Sequence, residues 1–409
     1  MSKSWVVGAQ LSTSHSPRRL LTIDRAMEAI DRVTSSLKLD LLIVGADEIP
    51  ELFRSLTNRV TRPAHEVFLW FNLLSDIPDM LPSDLVINWR GELSRGWGGW
   101  AEQGAEVRET FRFACPNNPQ TRQKTLTRIG QLLAQYPFDG VFLDKMRFPS
   151  PANGMDEVAS CFCSYCRSAA ARTGLDLQAV AELFERRDFA PGWMEAGIDK
   201  EARSSIDALL NPGSLLARFV RFRCESITGL VRAAYDEASR HGRKVALDLF
   251  VPGLAPIVGQ DYPALAEYCT WAKPMSYRTA LGPASLRLEI ASLSDGLSKM
   301  LGLPQAKLAA WCSRHLQGFS TDSIAMMKEQ PVSLQIVTPQ IAAAVQLIAP
   351  VPVYFGLELV RIPGVIDITP TLVNDMVMAG RAANAAGAII SWDIMQAPQD
   401  GIQALGAAL

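Results

Sequence analysis

The sequence predicts a (β/α)8 barrel, and three observations point to it. Eight short runs rich in β-branched and aromatic residues recur along the 409-residue chain. Most are nearly continuous in apolar residues, as parallel strands covered on both faces require. Longer stretches of helical periodicity separate them, so the order is strand, helix, strand, helix, and eight such strands close a ring.

In chain order the runs are WVVGAQL (5–11), LDLLIVGAD (39–47), EVFLWFNLL (66–74), DGVFLDKM (139–146), KVALDLFVP (244–252), TWAKPMSY (270–277), PVYFGLEL (352–359) and GAIISWDI (387–394). The clearest helix lies in NPQTRQKTLTRIGQLLAQ: Asn118 suits the cap, Pro119 the first helical position, and Leu126, Ile129, Leu132 and Leu133 share one face. Two intervals exceed any simple crossover. Residues 75–138 form a Trp-rich insertion after the third strand, and 147–243 a cysteine-containing helical excursion after the fourth. Both start on the face where barrel enzymes assemble their sites. No internal repeat or flexible linker marks a second domain, so 1–409 reads as one barrel. An open, doubly wound sheet fits the same parallel runs.

Composition narrows the partners. A net charge of −2 with scattered basic residues leaves no footprint for nucleic acid or an anionic membrane. The longest apolar region, IAAAVQLIAPVPVYFGLELV, is broken by Gln346 and two prolines, and the N-terminal apolar run is too short for a signal core. The expectation is a cytoplasmic protein, with nothing to exclude an oligomer. Four histidines in distant contexts do not suggest a His-rich catalytic metal site.

Seven cysteines without an export signal argue for free thiols or a metal rather than a disulfide scaffold. Cys161, Cys163 and Cys166 follow C-x-C-x-x-C spacing, which brings three sulfurs toward one ion. Cys115 is the best fourth ligand, because its loop leads into the helix before the fourth strand and the cluster follows that strand. Together they fit a structural, tetrahedral Zn2+; free thiols or a redox pair are the other reading. Cys224, Cys269 and Cys312 read as buried small hydrophobes.

The combination CPNNP, a helix, a strand ending in Asp and then C-x-C-x-x-C is similar to the metal-bearing segment of family 42 β-galactosidases, over residues 112–167. Those are barrels of a retaining glycosidase clan with a four-cysteine zinc site. Separately, FDGVFLDKMRFP resembles the D-G-x-x-x-D-x-x-R-[FY]-P signature of glycoside hydrolase-like barrels. Both resemblances imply a carbohydrate-directed barrel and a structural zinc. One feature departs from the clan: Lys145 and Met146 stand where its Asn-Glu pair, carrying the proton donor, would fall.

Glycoside hydrolysis needs a proton donor and a second carboxylate. Asp144, Asp248, Glu358 and Asp393 lie at the ends of the fourth, fifth, seventh and eighth runs, where barrel catalysts project. Asp144 and Glu358 are the leading pair, with the attacking acid unassigned; for Asp248 and Asp393, loop-holding ion pairs explain the acids equally well. Trp89, Trp97 and Trp100, close together in a Gly-rich loop, can stack on sugar faces, and Arg147, Tyr277 and Trp392 can line the same pocket. The expected function is a glycosidase acting on an oligosaccharide or glycoside by paired carboxylates. Its rivals are a non-catalytic sugar-binding or protein-interaction barrel, and a hydrolase in which Asp144, Asp248 and Asp393 hold a divalent metal.

Overall fold

Each of the eight apolar runs becomes a strand. The computed structural model describes residues 5–14, 21–99, 109–186, 215–302, 329–363 and 365–409. In it the strands are β1 (Val6–Ser12), β2 (Leu41–Gly45), β3 (Glu66–Asn72), β4 (Gly140–Asp144), β5 (Lys244–Leu249), β6 (Trp271–Pro274), β7 (Tyr354–Glu358) and β8 (Gly387–Ser391). They pair in parallel in the order β6, β5, β4, β3, β2, β1, β8, β7. A further parallel bridge joins Ala272 to Val353, with the Ala272 amide donating to Pro352 O at 3.1 Å. The ring therefore closes between β6 and β7, which removes the open doubly wound alternative.

The pleat sorts side chains onto two faces. Leu41, Ile43, Phe68, Trp70, Phe142, Ala246, Trp271 and Ile389 fill the barrel interior as one cluster. Trp271 stacks on Phe142 at 5.4 Å between centroids and meets Phe68 edge-on at 5.2 Å. The alternate residues, such as Leu69, Leu143 and Leu247, join the larger core beneath the helices. This double burial is why the runs lack polar alternation.

The helix at 119–135 forms as its sequence dictates. Asn118 Oδ1 accepts the Gln120 amide at 3.0 Å, Pro119 opens the helix, and Ile129, Leu132 and Leu133 are buried. No helix among the described residues is long and apolar enough to cross a membrane.

The two long insertions are stitched together above β3 and β4. Asn88 bridges Ser160, the Phe162 amide donates to Ile87 O at 2.8 Å, and the Trp89 amide to Ala159 O at 3.2 Å. Glu157 accepts Ser94 Oγ and the Arg95 amide, both at 2.8 Å. The insertions thus form one wall on the C-terminal side of the ring.

Candidate active site

One row of the barrel is polar. The register pairs Asn72 with Asp144 and Asp248 with Lys273, and Leu143 with Leu247, so Asp144 and Asp248 occupy matching positions on β4 and β5. This row lies directly above Trp70, Phe142, Ala246 and Trp271. The two acids therefore project from the same side as the aromatic plug, at the barrel mouth. Their neighbourhoods differ.

Asp144 is 8 % exposed and anchored at both oxygens: Trp70 Nε1 donates to Oδ2 at 2.9 Å and the Lys145 amide to Oδ1 at 2.5 Å. Asp248 is buried. Its Oδ2 lies 3.0 Å from Lys273 Nζ, while Oδ1 has no partner in the protein. Burial pushes Asp248 up to about 8, against the pull of Lys273, and the neighbouring Asp144 charge adds to the rise.

Lys145 adopts φ +51°, a left-handed conformation uncommon for a side-chain-bearing residue. Its ammonium donates to Asp76 at 2.8 Å and Glu109 at 2.6 Å. Burial alone would depress it, but Asp76 and Glu109 outweigh that and hold Lys145 above its ordinary range. Arg147 lies over the rings of Phe113 and Phe250, 4.3 and 4.8 Å from their centroids, and burial pushes it down to about 10 against the charges of Glu289 and Asp144.

These groups border a pocket at the barrel mouth. Asp144, Asp248, Lys145 and Arg147 line it together with Trp70, Tyr277 and Trp392. Tyr277 and Trp392 meet edge-on at 5.8 Å. Gly356 makes room for that arrangement, since a Cβ there would stand 2.8 Å from Tyr277 Cε1. The other aromatic expectations divide. Trp89 packs on Phe184 at 6.3 Å, away from the pocket. Trp97 meets Phe111 edge-on at 6.0 Å and backs a pocket-lining ring without lining the pocket itself. Trp100 and Cys312 lie outside the described residues.

Glu358 and Asp393 are not among the residues that line the pocket. Glu358 receives three backbone N–H groups, from Arg278 at 2.7 Å, Thr279 at 2.8 Å and Ala280 at 2.9 Å. Burial raises its carboxyl, with these donors opposing. The geometry is that of a group organising the chain after β6. Accordingly, Glu358→Gln is expected to lower stability by about 1–3 kcal/mol, because its amide turns a donor toward backbone donors; chemical denaturation checks this. Asp393 Oδ1 accepts the amides of Ser12 at 3.3 Å and Met395 at 3.2 Å, capping the turn Ile394–Gln396. Asp144, Asp248 and Asp393 do not form a metal-ligand group; among the described residues the cysteine cluster alone does.

In that cluster the ligand sulfurs of Cys115, Cys161, Cys163 and Cys166 all lie within 4.8 Å of one another. Cys115 Sγ stands 3.5 Å from Cys163 Sγ and 3.4 Å from Cys166 Sγ, too far for disulfides. Four thiolates about 2.3 Å from a tetrahedral Zn2+ would stand about 3.8 Å apart, so the cluster fits that ion. The Ile87 amide donates to Cys161 Sγ at 3.3 Å, and Asn117 Nδ2 to Cys166 Sγ at 3.4 Å. Such donors support thiolates. Cys224 is buried and Cys269 half-buried, both outside the cluster.

No protein-family model matches the sequence, and no curated protein sequence matches it. Solved structures do. The PgaB (BpsB) glycoside hydrolase domain from Bordetella bronchiseptica covers 99% of this chain and 98% of its own at 13% identity, with a TM-score of 0.57. The C-terminal domain of a putative chitinase from Desulfitobacterium hafniense covers 99% and 98% at 12% identity, TM-score 0.43. The likeness is one of fold. At 13% identity the likeness to the first supports the barrel and assigns no residue a role.

Sequence reasoning found Asp144 and Asp248 in the pocket lining but missed Trp70, Gln10 and Glu109. Trp70 and Gln10 were legible as inward positions at strand ends two residues beyond Phe68 and Gly8. Glu109 carried no local signal, because a loop brings it to Lys145.

Proposed function

We propose that the chain is a glycoside hydrolase in which Asp248 donates the proton to the leaving oxygen and Asp144 is the second carboxylate. The observation that carries this reading is the matched register of the two acids on adjacent strands, in surroundings that set them to opposite tasks. Asp144 is clamped by the Trp70 indole and the Lys145 amide at its two oxygens, whereas burial raises Asp248 toward the acid form. Tyr277 and Trp392 offer the flat rings on which sugars stack. The barrel likeness to a glycoside hydrolase domain agrees with the reading without supplying a substrate. Zn2+ at the four cysteines serves structure: it ties Cys115, in the insertion after β3, to the loop after β4.

The test is hydrolysis of a panel of aryl glycosides, covering both anomers of the common hexoses and their N-acetyl derivatives, measured against pH. Because Asp248 acts in its protonated form, kcat/KM is expected to fall about tenfold per pH unit above about 8. Saturable sugar binding with no turnover of any glycoside would replace this reading with a binding barrel.

A further inference from the structure

Lys273 projects from β6 into the barrel mouth and is fully buried. Its ammonium reaches Asp248 Oδ2 at 3.0 Å, Gln10 Oε1 at 2.7 Å, Tyr277 Oη at 2.8 Å and Ser391 Oγ at 3.4 Å. It therefore joins the acid-bearing side of the ring to β1 and β8. A lysine only donates, so it dictates which atom each partner turns toward it. Gln10 must offer its carbonyl, which leaves Nε2 facing elsewhere. Asp248 offers one oxygen and keeps the other.

Those remaining atoms, Gln10 Nε2 and Asp248 Oδ1, are both buried without a partner in the protein. Both residues line the pocket, with Gln10 1 % and Asp248 2 % exposed. A buried amide N–H and a buried carboxyl oxygen left unpaired, the latter bearing the proton in the glycosidase reading, are costly unless a ligand meets them. We propose that Lys273 is the positioning residue of this pocket, presenting Gln10 Nε2 to a substrate oxygen and Asp248 Oδ1 to the leaving oxygen of a glycoside. Gln10 is then a substrate-binding residue for a sugar hydroxyl or ring oxygen. This rests on the glycosidase reading for the role of Asp248, but the orientation of the two side chains stands on the hydrogen bonds alone.

The groups facing Asp248 are Lys273 from β6, Asp144 from β4, Arg147 beyond β4, and the phenols of Tyr262 and Tyr277. Of these, Lys273 is the one within ion-pair distance. Its removal should free Asp248 from the cation that opposes burial. In Lys273→Met, carboxyl 13C NMR is expected to show Asp248 titrating above its wild-type midpoint near 8; an unmoved midpoint overturns the positioning role. Lys273→Arg, which keeps the charge but changes its reach, should hold the midpoint near the wild-type value while lowering kcat/KM. It serves where the Met variant does not fold, and a midpoint that moves as it would without the cation counts against the proposal.

For Gln10→Leu, which leaves the ammonium in place, KM for the best aryl glycoside of the panel is expected to rise about tenfold with kcat changed less. An unchanged KM removes Gln10 from the binding site. If wild-type protein turns over no glycoside, the glycosidase reading falls and the Gln10 contact with it, whereas the NMR titration still decides the role of Lys273.

Discussion

Asp144→Asn is expected to lower kcat/KM on the best aryl glycoside by about 10³-fold or more, the range lost when a positioned carboxylate leaves an acid/base pair. The substitution keeps shape and removes charge. Trp70 Nε1 and the Lys145 amide now address the carboxylate from two sides, so an amide there turns its NH2 toward one of these donors. That mismatch costs about 1–3 kcal/mol of stability, to be read from a denaturation curve. The loss of rate exceeds anything this destabilisation produces in a folded sample, and the comparison with Glu358→Gln makes the point directly. Both variants insert an amide among N–H donors, but only Asp144 borders the pocket. A rate within tenfold of wild type for Asp144→Asn would take Asp144 out of the reaction; a collapse of both rates to the same floor would mean that folding, not chemistry, had been measured.

What the sequence makes legible follows from how far each signal travels along the chain. The strands are readable because double burial writes itself locally: VFLWF and LLIVG cannot be solvated on either face. The ends of those strands are equally local, and Asp144 and Asp248 were visible there. Their ranking was not. Glu358 looks equivalent to Asp144 in sequence, each closing an apolar run, and the difference arises from the amides of Arg278, Thr279 and Ala280, eighty residues away. Asp393 differs for another reason: it lies two residues past Ser391 and turns its carboxylate back onto Ser12 and Met395. Aromatic density was a poor guide in the insertions, because Trp89 and Trp97 fasten the wall that the insertions build, whereas the pocket takes its rings from Trp70, Tyr277 and Trp392 at strand ends.

Protein purified under reducing conditions without chelator is expected to hold one Zn2+ per chain, and losing it is expected to cost on the order of 4 kcal/mol or more. Cys115 and Cys163 are 48 residues apart. Cross-linking a loop of that size restricts the unfolded chain by about 4 kcal/mol on the loop-closure account, and a metal clip acts through the same restriction. The folded side adds to it. Four buried sulfurs cannot all ionise beside one another without a cation: hydrogen bonding with Cys161 and the other neighbours raises Cys115, while hydrogen bonding from Cys115 lowers Cys163. A divalent ion lets all four bind as thiolates. Cys115→Ser and Cys163→Ser should therefore each bind zinc weakly and unfold earlier, whereas Cys224→Ser, outside the cluster, should retain the metal. Acidification should release zinc as protons compete for the sulfurs. Because Glu109 and Phe111, which line the pocket, precede Cys115 in the same insertion, zinc loss should also weaken glycoside turnover while leaving the barrel strands paired. Metal analysis finding no zinc, with Cys115→Ser as stable as wild type, would reduce the cluster to four packed thiols.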